Sequence, residues 1–328
     1  MNYVNFGRTG IRVSEVCLGT MTFGKEADEP ASVAIMNRAM DAGVNFFDTA
    51  DIYNKGMTEE IIGRWLIGPL RDEVVLASKV HFPTGPGPND YGSSRRHIVR
   101  GVEDSLNRLQ TDWLDILYLH HWDENTSIDE SLAAINTLVE QGKVLYCGVS
   151  NFSAWQTMKA VGISRSCRYA PVSCIQPMYN LVKRQAEVEI LPMAQSEGLA
   201  VCPYSPIAAG LLTGKYLLGE GGRIKDHPMY AERYKREEYA AIASDFVNHA
   251  KAMGHSPSAL ATRWVIDHPA VTSAIIGARN LEQLNQALEC TTFQLPAEAR
   301  AAITALSIDP PLATDREPPS IAMNLLTK

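Results

Sequence analysis

Short apolar runs alternate along this chain with longer stretches whose apolar residues recur at helical spacing. Eight runs read as strands: Val16–Gly19, Val44–Phe47, Val74–Ser78, Ile116–Leu119, Leu145–Val149, Val172–Ile175, Ala200–Pro203 and Ser273–Ile276. Strands buried on both faces read as near-continuous apolar runs of this kind. Between them lie amphipathic stretches such as Ala31–Ala42, Arg95–Arg108, Ile128–Gln141, Gln185–Ser196 and Leu281–Glu289. Ser127-Ile128-Asp129-Glu130 has the form of a capping box, and Ser153 is placed to cap the segment after it. Ahead of the first unit, Tyr3–Phe6 and Ile11–Val13 flank Gly7-Arg8-Thr9-Gly10, which predicts a β-hairpin.

Eight β-then-α units predict an α/β fold, a closed (β/α)8 TIM barrel preceded by the hairpin. The competing doubly wound sheet calls for a Gly-rich turn after its first strand. Here that strand runs into Leu18-Gly19-Thr20-Met21-Thr22-Phe23-Gly24, which is not G-x-G-x-x-G. A barrel of this size folds as one unit, so one domain over residues 1–328 is expected. Two insertions interrupt the alternation. Thr84–Gly92 is rich in Gly and Pro, and the charged, Gly-containing segment from Gly214 to about Glu238 follows the seventh strand. Both are expected as long loops over the C-terminal face of the barrel. The Pro-rich tail from Pro310 is expected to lie over the same mouth.

Composition narrows the function classes. A net charge of −7 gives no global attraction to nucleic acid or an anionic membrane. No apolar run approaches the ~20 residues that cross a bilayer, and the N-terminus carries no apolar signal core. The six cysteines, Cys17, Cys147, Cys167, Cys174, Cys202 and Cys290, form no CxxC pair and no metal spacing. Reduced, buried thiols in a cytoplasmic protein are the expectation.

The chemistry concentrates where strands end. In order, the ends read Asp48-Thr49-Ala50-Asp51-Ile52-Tyr53, Lys79-Val80-His81, His120-His121-Trp122, Ser150-Asn151-Phe152, Gln176, Tyr204-Ser205-Pro206 and Gly277-Ala278-Arg279-Asn280. Taken with Phe47-Asp48-Thr49-Ala50-x-x-Tyr53, Leu114-Asp115-x-x-x-x-His120, Gly148–Phe152, and Tyr204-Ser205-Pro206 followed by Gly210-Leu211-Leu212-Thr213-Gly214, this order resembles the aldo-keto reductase family across nearly the whole chain. The resemblance implies a catalytic tetrad of Asp48, Tyr53, Lys79 and His120. The physics is consistent with that. Reducing a carbonyl needs a hydride on carbon and a proton on oxygen, and a phenol is a poor acid near neutrality unless a cation lowers its pKa, against the upward push of burial.

The same resemblance implies NADPH or NADP, with NADH use left open. Ser150, Asn151 and Gln176 would hold the nicotinamide amide, and Tyr204 would stack on its ring. Gly19, Thr20 and Met21 would line that pocket. Ser205, Pro206 and the backbone to Gly214 would cradle the pyrophosphate, with Leu211 against the dinucleotide. Arg279 and Asn280 would take the 2′-phosphate, Gln283 would face the adenine with Gln286 near it, and Gly277 would belong to the same cofactor site. Phe23, His81, Phe82 and Trp122 would shape a pocket for a neutral aldehyde, ketone or alcohol. The chain departs from the family at Ile276, Ala287 and Lys55-Gly56; the last is expected to alter a loop and leave the proton donor in place. Two other function classes compete: a nucleotide-binding regulatory subunit of the same fold, and a metal-dependent hydrolase built on Asp48, His120 and His121. Homo-oligomer formation and the natural substrate are left open.

Overall fold

The structure is a computed structural model that describes residues 1–312 and 314. The expected tail over the mouth falls largely outside these residues. The hairpin pairs β1 (Tyr3–Asn5) with β2 (Arg12–Ser14), Tyr3 opposite Ser14. Eight parallel strands follow: β3 (Val16–Gly19), β4 (Phe46–Asp48), β5 (Val75–Val80), β6 (Leu114–Leu119), β7 (Val144–Ser150), β8 (Val172–Gln176), β9 (Ala200–Val201) and β10 (Ala274–Gly277). β10 pairs with β3, and the ring closes where Ile275 N–H donates to the Pro203 carbonyl at 2.9 Å and Tyr204 bridges to Ile275. The result is the (β/α)8 barrel that the alternation predicts. β9 is shorter than the run Ala200–Pro203, because Pro203 has no N–H to extend the ladder.

Alternation along the strands sorts side chains into two cores. Val16, Leu18, Phe47, Leu76, Leu117 and Leu119 face outward and pack with the helices, among them Glu29–Asp41, Arg95–Leu109 and Ile128–Glu140. Cys17, Phe46, Ala77, Ile116, Tyr118, Cys174 and Cys202 face inward, with Phe6 and Val13 of the hairpin region packed among them. Gly148 has no side chain because Tyr118 needs the space: a Cβ there would stand 2.5 Å from Cys174 Sγ and 2.6 Å from the Tyr118 ring. Cys167 is exposed, whereas the other five cysteines are buried as expected, and all six are free thiols.

Three local expectations change. Ser153 forms a full capping box with Gln156, but Ser127 does not cap its helix; its hydroxyl donates to Asp129, and Glu130 accepts instead from the Arg95 backbone N–H of the neighbouring helix. The Gln185–Ser196 stretch splits into a 3-10 turn, Gln185–Glu187, and a helix, Ile190–Glu197. Pro192, which lacks an N–H, sits in the first turn of that helix, where the missing donor costs nothing. The Gly214–Glu238 insertion is not a long coil: it contains helices at Arg223–Asp226 and Pro228–Arg233 and leads into a third at Glu237–Ala252.

Candidate active site

The inward register of the strands ends in polar residues at the C-terminal mouth. Phe46 and Asp48 share one face of β4, Ala77 and Lys79 one face of β5, and Ile116 and Tyr118 one face of β6, which His120 continues. That parity selects His120 over His121, which is exposed. Lys79 is the hub. Its buried Nζ donates to Asp48 Oδ2 at 2.5 Å, the Thr49 carbonyl at 2.7 Å and Tyr53 Oη at 3.2 Å. Asp48 Oδ1 accepts from Gln176 Nε2 at 2.7 Å. The Tyr53 and His120 rings stand 6.1 Å apart, edge to face, and Phe82 packs 4.8 Å from His120. The four residues of the expected tetrad thus meet at one place.

The turn that carries Tyr53 is bent by Asn54 and Lys55, both in left-handed conformations with φ of 48° and 58°. Asn tolerates this better than most residues. The Asn54 amide then donates to the Phe23 carbonyl at 2.5 Å. This is the altered loop that Lys55-Gly56 predicts, with the phenol still aimed at Lys79.

Burial dominates the electrostatics. It pushes the Tyr53 phenol above its ordinary value, and Lys79 pulls down against it without prevailing. The cation expected to lower the phenol's pKa is therefore outweighed by burial in the folded protein. For Lys79, burial disfavours the charge, but Asp48 and Tyr53 together outweigh burial and hold the ammonium above its usual range. His120 is pushed well below the ordinary imidazole value, first by burial and then by Lys79 and neighbouring histidines, so it is neutral.

Beside the tetrad, Asn151 Nδ2 donates to the His120 carbonyl at 2.9 Å, and the Tyr204 hydroxyl donates to Asn151 Oδ1 at 2.8 Å. Ser150 Oγ donates to the Gln176 carbonyl at 3.0 Å, and Thr20 Oγ1 to the Asp48 carbonyl at 2.9 Å. Gly19 is required by close approach: a Cβ there would lie 2.7 Å from the Ile275 side chain. Met21 is half-buried at the same end. Gln176 therefore braces Asp48 with one amide N–H, and its second N–H and side-chain oxygen are left for another partner. Two substrate-pocket expectations fail. Phe23 is fully buried in the outer core. His81 is 2% exposed, is bonded to Ser93 at 3.0 Å and packs 5.2 Å behind Phe82, with a pKa pushed down by burial to about 4. Phe82 and Trp122 are half-buried at the mouth.

Next to this site lies a group of cations. Lys215 is depressed by burial, then by Arg279, with Arg223 adding to the effect. None of Lys215, Arg223 and Arg279 forms an ion pair among the described residues. Cations that crowd one another, with Glu220 and Asp226 nearby but in no ion pair with them, suit a phosphate-bearing ligand, so the residues present fit a dinucleotide. Ser205 (φ 64°), Ala208, Ala209 and Gly210 turn the backbone through left-handed conformations beside Lys215. Gly214 closes that turn at φ 82°, Pro206 is buried, and Leu211 is only 7% exposed, packed into the core. Asn280 caps Leu281–Leu288 by accepting from Gln283 N–H at 2.9 Å, Gln283 accepts from Arg279 N–H at 3.1 Å, and Gln286 and Gly277 are exposed.

The Aldo/keto reductase family model matches residues 15–308, which span every barrel strand and the whole tetrad. The chain belongs to the aldo/keto reductase family. It is 41% identical over 309 residues to "Uncharacterized oxidoreductase YrpG" of Bacillus subtilis, covering 91% of this chain and 93% of that one. It is 37% identical over 295 residues to a rice protein named "Probable voltage-gated potassium channel subunit beta", covering 87% and 89%. It is 34% identical over 318 residues to "Aldo-keto reductase YhdN" of B. subtilis, covering 93% of each. No helix among the described residues of this family member is long and apolar enough to cross a membrane, and no group of three or more metal-ligating side chains gathers among them.

The sequence reading of this aldo/keto reductase passed over several residues of the site. Lys215 stands one position beyond the quoted Gly210–Gly214 motif, so reading one residue further would have found it. Asp51 and Glu59 are buried behind Lys79, with half-buried Arg108 beside them. Glu59 takes Ser78 Oγ at 2.6 Å and Arg108 at 2.7 Å, while neither oxygen of Asp51 has a hydrogen-bond partner among the described residues. Nothing in the spacing of Glu59 and Arg108, 49 positions apart, signals that pair.

Proposed function

We propose that this chain is an NADPH-dependent oxidoreductase that reduces an aldehyde or ketone to the alcohol, or runs the reverse reaction, as a one-domain cytoplasmic enzyme. The observation that carries the reading is the buried Asp48–Lys79–Tyr53 chain, with a neutral imidazole across from the phenol. When bound, the dinucleotide supplies a hydride to the carbonyl carbon. Tyr53 supplies the proton to the carbonyl oxygen. Lys79 donates a hydrogen bond to Tyr53 Oη, so the phenol's own proton is free to point elsewhere, and the ammonium stabilises the phenolate left behind. Asp48, braced by Gln176, keeps Lys79 charged and oriented. Neutral His120 offers a hydrogen bond to the substrate oxygen without adding a charge. Asn151 and Tyr204 position the nicotinamide end, and Lys215, Arg223 and Arg279 take the phosphates; a 2′-phosphate suits this cation-rich end and supports NADPH over NADH. Phe82 and Trp122 favour a substrate with an apolar body.

The similarity to the rice protein named as a probable channel β-subunit supports a second reading, a nucleotide-binding regulatory subunit. One experiment separates the two. Purified protein is given NADPH or NADH and a panel of aldehydes and ketones, and absorbance of the reduced cofactor is followed with and without chelator. The reductase reading expects consumption with several carbonyls, faster with NADPH and indifferent to chelator. Tight NADPH binding without consumption on any carbonyl would transfer support to the regulatory reading, and chelator-sensitive activity would favour a metal enzyme.

A further inference from the structure

The short helix Pro228–Arg233 packs two of its residues partly against the protein. Tyr230 and Arg233, three positions apart and so on one face, are half-buried, while Met229, Ala231 and Glu232 are exposed. The placement is fixed from the next residue. Tyr234 is 5% exposed, and its hydroxyl lies 3.5 Å from Ser205 Oγ and 3.4 Å from Asn180 Nδ2, which also donates to the Ser205 carbonyl at 2.9 Å. The helix is therefore bolted to the turn that follows β9.

Tyr230 lies between two guanidinium groups, Arg223 at 5.8 Å and Arg233 at 5.3 Å from its ring centroid. They serve different sides. Arg223 lies within electrostatic reach of Lys215, as Arg279 does, on the phosphate side. Arg233 lies within reach of Tyr204, and Tyr230 within reach of both Tyr204 and Tyr53, on the side where the carbonyl is reduced. Arg233 also lacks a counter-ion. Glu232 pairs with Lys235 at 2.5 Å and Glu238 with Arg236 at 3.3 Å, Glu237 is exposed, and no ion pair to Arg233 forms among the described residues. A half-buried guanidinium without a carboxylate partner, on a helix anchored to the turn after β9, is poised for an external anion.

We infer that Arg233, with Tyr230 beside it, holds a carboxylate or comparable anionic substituent on the carbonyl substrate, so that the enzyme favours charged aldehydes over their neutral counterparts. This rests on the reductase reading and adds a substrate class to it. The ion pair leaves the reacting carbonyl to Tyr53 and selects for a substrate with its anion some distance from that carbonyl.

The test compares 4-carboxybenzaldehyde with 4-methylbenzaldehyde for wild type, Arg233→Gln and Arg233→Lys, with NADPH affinity measured in parallel. Arg233→Gln is expected to lower the ratio of kcat/KM for the charged over the neutral aldehyde about tenfold or more, as loss of a charge-assisted bond implies. Arg233→Lys should recover part of the ratio, and NADPH affinity should stay within about twofold. An unchanged ratio overturns the inference, as does a loss of NADPH affinity in its place, which would assign Arg233 to the cofactor. If wild type reduces neither aldehyde nor any other carbonyl of the panel, the reductase reading fails by itself. Calorimetric titration with benzoate then decides the anion site: binding that Arg233→Gln weakens about tenfold sustains it, and no binding to wild type sinks it.

Discussion

A lysine ammonium buried without solvent persists only where its surroundings replace water. Lys79 meets that condition with a carboxylate, a main-chain carbonyl and a phenol, all within 3.2 Å. Asp51, on the far side of β5, does not. It is 2% exposed, and burial, with the nearby Glu59 charge, raises its carboxyl to about 8. A raised carboxyl costs stability wherever the unfolded chain is ionised and the folded one is not. Below the ordinary value of 3.8 both states are protonated and the effect vanishes. Between there and about pH 8 the cost grows by about 1.4 kcal/mol per pH unit, and above it the cost is constant. Asp51→Asn is therefore expected to melt close to wild type at pH 4 and progressively higher than wild type as pH rises to 8. A melting difference that does not change with pH would mean that Asp51 is ionised in the folded protein.

At the scale of elements, two identical-looking helix starts behave differently. Ser153 and Gln156 reciprocate, whereas Glu130, the partner expected for Ser127, caps the adjacent helix through Arg95. Ser153→Ala should cost about 1 kcal/mol in denaturant unfolding, and Ser127→Ala about 0.5 kcal/mol or less. Equal losses would contradict the assigned caps. The difference marks the limit of what sequence shows at this scale. A cap is legible as four consecutive residues, but competition from a helix that starts more than thirty positions earlier is not. The strands were legible because burial on both faces writes itself as an unbroken apolar run, and their ends shifted only where pairing stops, as at Pro203. The helices inside 214–238 were hidden by charge and glycine, since such short helices owe their place to tertiary anchors such as Tyr234.

For the whole molecule, the barrel itself explains how much of the site could be read. Parallel strands deliver alternate residues to one interior, so Asp48, Lys79 and His120 converge although up to 72 positions separate them, and a strand-end reading finds them in order. The same logic fails for residues whose place is set by loops. Phe23 sits close to the first strand's end yet turns into the core, and His81 retreats behind Phe82 because Ser93 holds its ring. It also fails for energies: no spacing tells whether burial or Lys79 prevails at Tyr53. The central claim is that this phenol delivers the proton in carbonyl reduction, and it is tested most directly by measuring turnover and NADPH binding on one variant, Tyr53→Phe, which keeps the ring and removes only the hydroxyl. The account expects NADPH affinity within about twofold of wild type and a carbonyl-dependent rate lower by roughly 10²–10⁴. Undiminished turnover in Tyr53→Phe would contradict it.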